Sequence, residues 1–116
     1  MPLCSINNVV IKGIIAGAPA GIAKTSDCEL ISKPDRLKFT TLTGVREKRY
    51  ARKGQTPVDM CLPLAEKLLY DLNWQAKDVD ALIYVSLMRD YLIPFSAAIL
   101  QNKLGMRKDT ACFDVP

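Results

Sequence analysis

The sequence predicts an α/β fold in the order strand-helix-strand-helix-strand. Three observations carry this. Two short runs rich in β-branched and aromatic residues, Ala81 to Leu87 and Thr110 to Val115, are too brief for helices. A long apolar stripe at helical spacing starts behind Thr56. The two kinds of segment alternate along the chain, which favours a mainly parallel sheet with helices on its faces.

Residues Asn8 to Ala18 are dense in Val and Ile and predict a first strand, closed by Ala18-Pro19-Ala20-Gly21. Ile22 to Thr41 has no clean period and predicts a short helix or irregular stretch broken at Pro34. The stretch Thr43 to Tyr50 follows a turn at Gly44 and leads into a polar loop, Arg52 to Gln55. Thr56, Pro57 and Asp59 then form a helix-start signature: a cap, a proline in the first turn and an acid three residues after the cap. Cys61, Leu64, Ala65, Leu68, Leu69 and Leu72 fall on one face behind it. Pro63 inside this helix removes a backbone donor and predicts a kink. Asn73 ends it, and a polar connection runs to Asp80 before the second strand, Ala81 to Leu87. Ser96 is the expected cap of a second helix that stops at Gly105, and Thr110 to Val115 is the third strand.

The 116 residues suit one domain with a modest core. Hydrophobic residues make up 49% and charged residues 24%, as in a globular protein. No apolar run approaches the length that spans a bilayer, and the start lacks a basic segment followed by an apolar one. A cytoplasmic protein without membrane association is the expectation. The four cysteines (Cys4, Cys28, Cys61, Cys112) have no C-x-x-C spacing and there is no histidine, so no metal site is expected. Without histidine the chain cannot supply a Cys–His or Ser–His pair by itself. Arg46, Lys48, Arg49, Arg52 and Lys53 make a basic cluster that includes Glu47. It reads either as a landing patch for an anionic partner or, more ordinarily, as a solvated loop. Nucleic-acid binding is the weakest option, since no recognition motif accompanies the charge.

Several segments together resemble the ketoacyl synthase III branch of the thiolase superfamily. They are Val10-Ile11-Lys12-Gly13-Ile14, the stretch from Leu42 to Arg49, Gln55-Thr56, the run from Ile93 to Ala98, Leu104-Gly105 and Phe113-Asp114-Val115. They stand in family order over the whole chain. The resemblance implies a thiolase-like fold, with residues 1–116 as one partial N-terminal domain. It implies an acyltransferase of the fatty-acid or specialised lipid and polyketide kind, running a decarboxylative Claisen condensation of an acyl thioester with a malonyl group on acyl carrier protein. In that family a cysteine accepts the acyl group, and a histidine and an asparagine from the second half assist. The cysteine follows the Phe-Asp-Val strand, so it is expected just beyond Pro116 and no catalytic residue is expected within this chain. Cys112 precedes Phe113 and reads as a small core residue.

Relatives primed by coenzyme A place a tryptophan and an arginine at positions matching Lys38 and Leu42. Lys38 is thus the one coenzyme-A-binding candidate, as a point charge toward a phosphate; Leu42 cannot play that part. The exchange argues against the usual acetyl-coenzyme-A priming, and a carrier-protein primer fits as well. Leu92 and Ile93 match the loop that shapes a partner's acyl pocket, or are ordinary packing at a helix entrance. Implied partners are acyl carrier protein and a second copy or second synthase-like chain; thioesters are substrates and no bound cofactor is implied. The alternative is a non-catalytic synthase-like half that only binds a partner.

Overall fold

Two separate strand pairs organise the chain in the computed structural model, which describes residues 5–88 and 90–116. The first pair is β1 (Gly21–Lys24) and β2 (Glu47–Tyr50), antiparallel, with Gly21 opposite Tyr50 and Lys24 opposite Glu47. Between them run a 3₁₀ turn, Thr25–Asp27, and helix α1, Lys33–Thr43. The second pair is β3 (Ala81–Val85) and β4 (Ala111–Val115), parallel, with Tyr84 opposite Asp114. Helix α2 (Pro57–Leu72) precedes it, a 3₁₀ turn (Ala76–Asp78) leads into it, and helix α3 (Ser96–Lys103) makes the crossover.

The α/β layering and the second half of the chain follow the sequence-based reading closely. The Thr56 side chain accepts from the Asp59 N–H at 3.2 Å while Asp59 accepts from the Thr56 N–H at 3.1 Å. Asn73 closes α2 in the left-handed region, at φ 60°. Pro63 lies inside a helix that continues through it.

The first half differs. Residues 8–18, expected as a strand, have no regular structure. High β-propensity describes a side chain's fit to a pleated surface, and a strand also needs a neighbour to complete its ladder. The segment instead lies against α2: a Cβ added at Gly17 would sit 2.7 Å from Leu64 Cδ2. The expected break at Pro34 is a helix start. Ser32 caps α1 by accepting the Asp35 N–H at 3.3 Å, and Pro34 occupies the first turn, where its missing N–H has no partner to lose. The stretch after Gly44, given no element from sequence, holds β2, and Arg52 to Gln55 is the expected loop. Among the described residues parallel pairing is therefore confined to β3 and β4.

The core is small. Among the described residues, Val58, Tyr84, Ala97 and Leu100 are the buried apolar ones and Ser96 and Thr110 the buried polar ones, where α3 packs on β3, β4 and α2. Alternation along the parallel pair sends Leu82, Tyr84, Cys112 and Asp114 toward this core. The opposite face, with Ile83, Val85, Phe113 and Val115, is exposed. The radius of gyration is 18.7 Å, against about 13 Å for a compact domain of this length. These residues thus form part of a layered fold whose sheet is covered on one side. Among the described residues no helix is long and apolar enough to cross a membrane.

Candidate functional site

The C-terminal ends of β3 and β4 are where a parallel sheet delivers its chemistry-bearing loops. Asp114 is the penultimate residue of β4 and points to the covered side. Its two carboxylate oxygens accept the Ser96 and Ala97 N–H groups, each at 2.8 Å. The N-terminus of α3 is thereby satisfied by a strand residue, and the N–H groups gain from a negative charge at the positive end of the helix. Ser96 is not the cap: the N-cap is Phe95, which makes no side-chain cap bond. The Ser96 Oγ is fully enclosed and without a hydrogen-bond partner among the described residues.

The loop of residues 86–95 joins β3 to α3. Asp90 ties it down, its carboxylate accepting the Val58 N–H in the first turn of α2 at 3.4 Å. The Met88 N–H donates to Ser86 Oγ at 3.1 Å. Asp90, Tyr91 and Pro94 border a cleft of about 500 Å³ that Thr56, Asp59 and Lys103 close on the helical side. Lys103 pairs with Asp59 at 3.2 Å, linking α3 to α2.

Three ionisable groups beneath this loop are shifted toward their neutral forms. Burial raises the Cys61 thiol, and the Asp90 charge adds to it. Burial raises the Tyr84 phenol, opposed by a hydrogen bond with Ser86 and reinforced by Cys61, Asp90 and Asp114. Burial also raises the Cys112 thiol, with Asp114 reinforcing it. A thiol held above its ordinary range supplies little thiolate near neutral pH, the opposite of what a nucleophile needs. Cys28, Cys61 and Cys112 are all free; Cys4 lies outside the described residues.

Leu92 and Ile93 sit together on the loop, 77% and 81% exposed. Side chains that open cannot line a closed pocket without a covering surface. Lys38 lies on α1, which packs chiefly on the first 3₁₀ turn, away from the β3–β4 pair. Leu42 follows one turn on, exposed. The fold therefore brings Leu92 and Ile93 together and leaves Lys38 on a separate part of the chain. The basic cluster is split: Lys48 faces an apolar cleft with Ile22, Phe39 and Tyr50, while Arg46 faces a second cleft beside α1. Asp114 and Asp90 are the positioning residues the sequence-level reading misses. Asp114 is an acid inside the otherwise apolar run ACFDV, and that was the available signal, since such a group needs a partner; Asp90 follows Arg89 in sequence and carries no such signal.

A scan against models of protein families matches none. Curated relatives do match. Beta-ketoacyl-acyl-carrier-protein synthase III of Fusobacterium nucleatum is 31% identical over 110 residues, 95% of this chain and 33% of the relative. The protein of the same name from Staphylococcus haemolyticus is 31% identical over 101 residues, 87% of this chain and 32% of the relative. The chain is ketoacyl-synthase-III-like. Its fold agrees: a 3-oxoacyl-acyl-carrier-protein synthase from Burkholderia xenovorans superposes with a TM-score of 0.80 at 29% identity, covering 84% of this chain and 28% of that one. OleA of Xanthomonas campestris gives a TM-score of 0.74 at 26% identity, over 84% of this chain and 31% of that one. The synthase-III-like chain spans about a third of the length of the curated relatives it matches. The half-covered sheet and low compactness are what a third of a layered thiolase-like fold has by itself.

Proposed function

We propose that this chain is part of a cytoplasmic acyltransferase that joins an acyl thioester to a malonyl group on acyl carrier protein, with loss of carbon dioxide. The observation that carries the reading is the Asp114-fixed α3 beside the C-terminal ends of β3 and β4, in a chain similar to synthases of that name over most of its length. In this reading a cysteine lies a few residues beyond Val115 in the parent protein. Its thiolate takes the acyl group and releases the carrier thiol; decarboxylation of the malonyl thioester then supplies the carbon nucleophile that displaces the cysteine. The chain has no histidine, so histidine assistance comes from elsewhere in the parent.

The roles left to this chain are positioning and binding. Residues 1–116 act as one partial N-terminal domain. Leu92 and Ile93 line the acyl pocket once a second synthase chain covers the loop, which accounts for their exposure here. Lys38 meets a phosphate of the thioester carrier as a point charge.

The test is intact-mass analysis of the parent protein after incubation with acyl-coenzyme A and, separately, acyl carrier protein thioesters. One acyl group per chain on the cysteine beyond Val115, followed by carbon dioxide release with malonyl-loaded carrier protein, is the expected result. Absence of acylation from both donors, with stable association to a second synthase-like subunit, would replace this reading with the partner-binding module.

A further inference from the structure

A second basic feature lies apart from the loop and from Lys38. The cleft beside α1 has a volume of about 580 Å³ and is bordered by Lys24, Lys33, Arg36 and Arg46, with Thr40 on its wall and Glu47 as its one carboxylate. Four cations face one anion, a net three positive charges in a single concavity. Among the described residues none of the four cations forms an ion pair. The Nε of Arg36 is buried with no hydrogen-bond partner there. That nitrogen is closed to the cleft, so the charge Arg36 offers an anion is on the outer part of its guanidinium.

The walls are fixed before any ligand arrives. The Arg36 Nη1 donates to the Ser26 carbonyl, joining α1 to the first 3₁₀ turn. The Thr25 N–H donates to the Arg46 carbonyl at 2.8 Å, and the Thr25 hydroxyl to the Val45 carbonyl at 2.9 Å, joining that turn to the start of β2. Lys33, Arg36, Leu37 and Thr40 share a stripe about 100° wide on α1, from about 100° per residue of helical rotation. By the same rotation Lys38 and Leu42 fall on the far side of the helix. The cleft is therefore distinct from the coenzyme-A-facing position assigned to Lys38.

We propose that this cleft binds the phosphate group of a small polyanion. The Arg46 fork matches tetrahedral oxygens bidentately, and Lys24, Lys33 and the Ser26-bound Arg36 add charge without fixing direction. The volume suits a small molecule and the net charge suits a diphosphate. The proposal does not rest on the condensing reaction and can fail or stand independently of it.

The experiment is calorimetric titration of the parent protein with inorganic pyrophosphate, ADP, adenosine and a short polyglutamate peptide. Pyrophosphate and ADP should bind saturably and adenosine should not; equal affinity for the first two marks a free-phosphate site, tighter ADP a nucleotide site. K33Q/R46Q should weaken both by at least about tenfold, whereas K108Q, at an exposed lysine outside the cleft, leaves them within about twofold. Arg36 also holds the Ser26 carbonyl, so R36Q serves only with circular dichroism confirming its fold, and K33Q/R46Q decides if it unfolds. Raising the salt should weaken binding by screening. No saturable binding of pyrophosphate or ADP up to about 10 mM, an equal loss in K108Q, or tighter binding of polyglutamate would overturn the assignment.

Discussion

Asp114 on the last strand caps a helix that begins 18 residues earlier, its carboxylate accepting the Ser96 and Ala97 N–H groups at 2.8 Å each. One side chain therefore fixes both the angle of α3 against the sheet and the end of the loop that carries Leu92 and Ile93. Charge-assisted bonds to backbone N–H groups are among the stronger ones in a protein. Asp114→Ala should lower the stability of the parent protein by about 2–3 kcal/mol, and Asp114→Asn, which keeps one acceptor oxygen, by about half of that. Urea midpoints at constant m-value read the difference. An alanine variant as stable as the parent would remove Asp114 from this role.

Ser96 is the counterpart. Its hydroxyl is enclosed and has no partner among the described residues, although a serine at that position of the sequence is an obvious candidate cap. Removing a buried polar atom that makes no bond relieves a desolvation penalty. Ser96→Ala should leave stability unchanged or raise it by up to about 1 kcal/mol. A loss above about 1 kcal/mol in the same denaturation experiment would mean that the hydroxyl has a partner in the intact protein.

How far this was legible in the sequence divides at Gly54. Beyond it, local chemistry and structure agree: Thr56 and Asp59 form their reciprocal cap, Asn73 closes α2, and β3, α3 and β4 fall close to where their patterns put them. Before it, long-range pairing decides. Gly21–Lys24 becomes a strand because Glu47–Tyr50, across an intervening helix, lies beside it. Gly21 itself is required by that approach, since an added Cβ would sit 2.7 Å from the Tyr50 carbonyl oxygen. Val9 to Ile14 carries every local strand signal and has no strand beside it among the described residues. Local propensity cannot report the neighbour. The same holds at the site, where Asp114 and Ser96 are 18 residues apart and only the sheet register shows which of them meets the helix end.

Asp59 sets a pH dependence. Its carboxyl is held below the usual value of 3.8, chiefly by the Thr56 backbone N–H and then by Lys103. A depressed folded-state value stabilises the fold above the unfolded value of about 3.9 and loses that contribution as pH falls through the lower folded one. Asp109, lowered by Arg107, acts in the same direction. Asp59→Asn keeps an acceptor for Thr56 but cannot ionise. Its melting temperature should fall less steeply than that of the parent between about pH 5 and pH 2. Added salt should reduce the part owed to Lys103, which is exposed, and spare the part owed to Thr56. Parallel acid-melting curves for the two proteins would contradict this.

Leu92 and Ile93 stand open on a loop pinned at one end by Asp90 on α2 and at the other by Asp114 on α3. A loop held at both ends presents its apolar tip in a defined place, and the cost of ordering is met before anything packs against it. If that tip lines an acyl pocket, its bulk limits the chain that fits. Leu92→Trp or Ile93→Trp should shift preference toward shorter acyl groups, and Leu92→Ala or Ile93→Ala toward longer ones. Each methylene gained or lost in such a pocket changes the kcat/KM ratio by about tenfold or more. The measurement is competition between acyl thioesters of different length in the parent protein. A uniform loss across all lengths would show that the two residues serve only the packing of the loop. Asp90→Asn keeps the acceptor for Val58 and should preserve the wild-type length preference, whereas Asp90→Ala releases the loop and should broaden it.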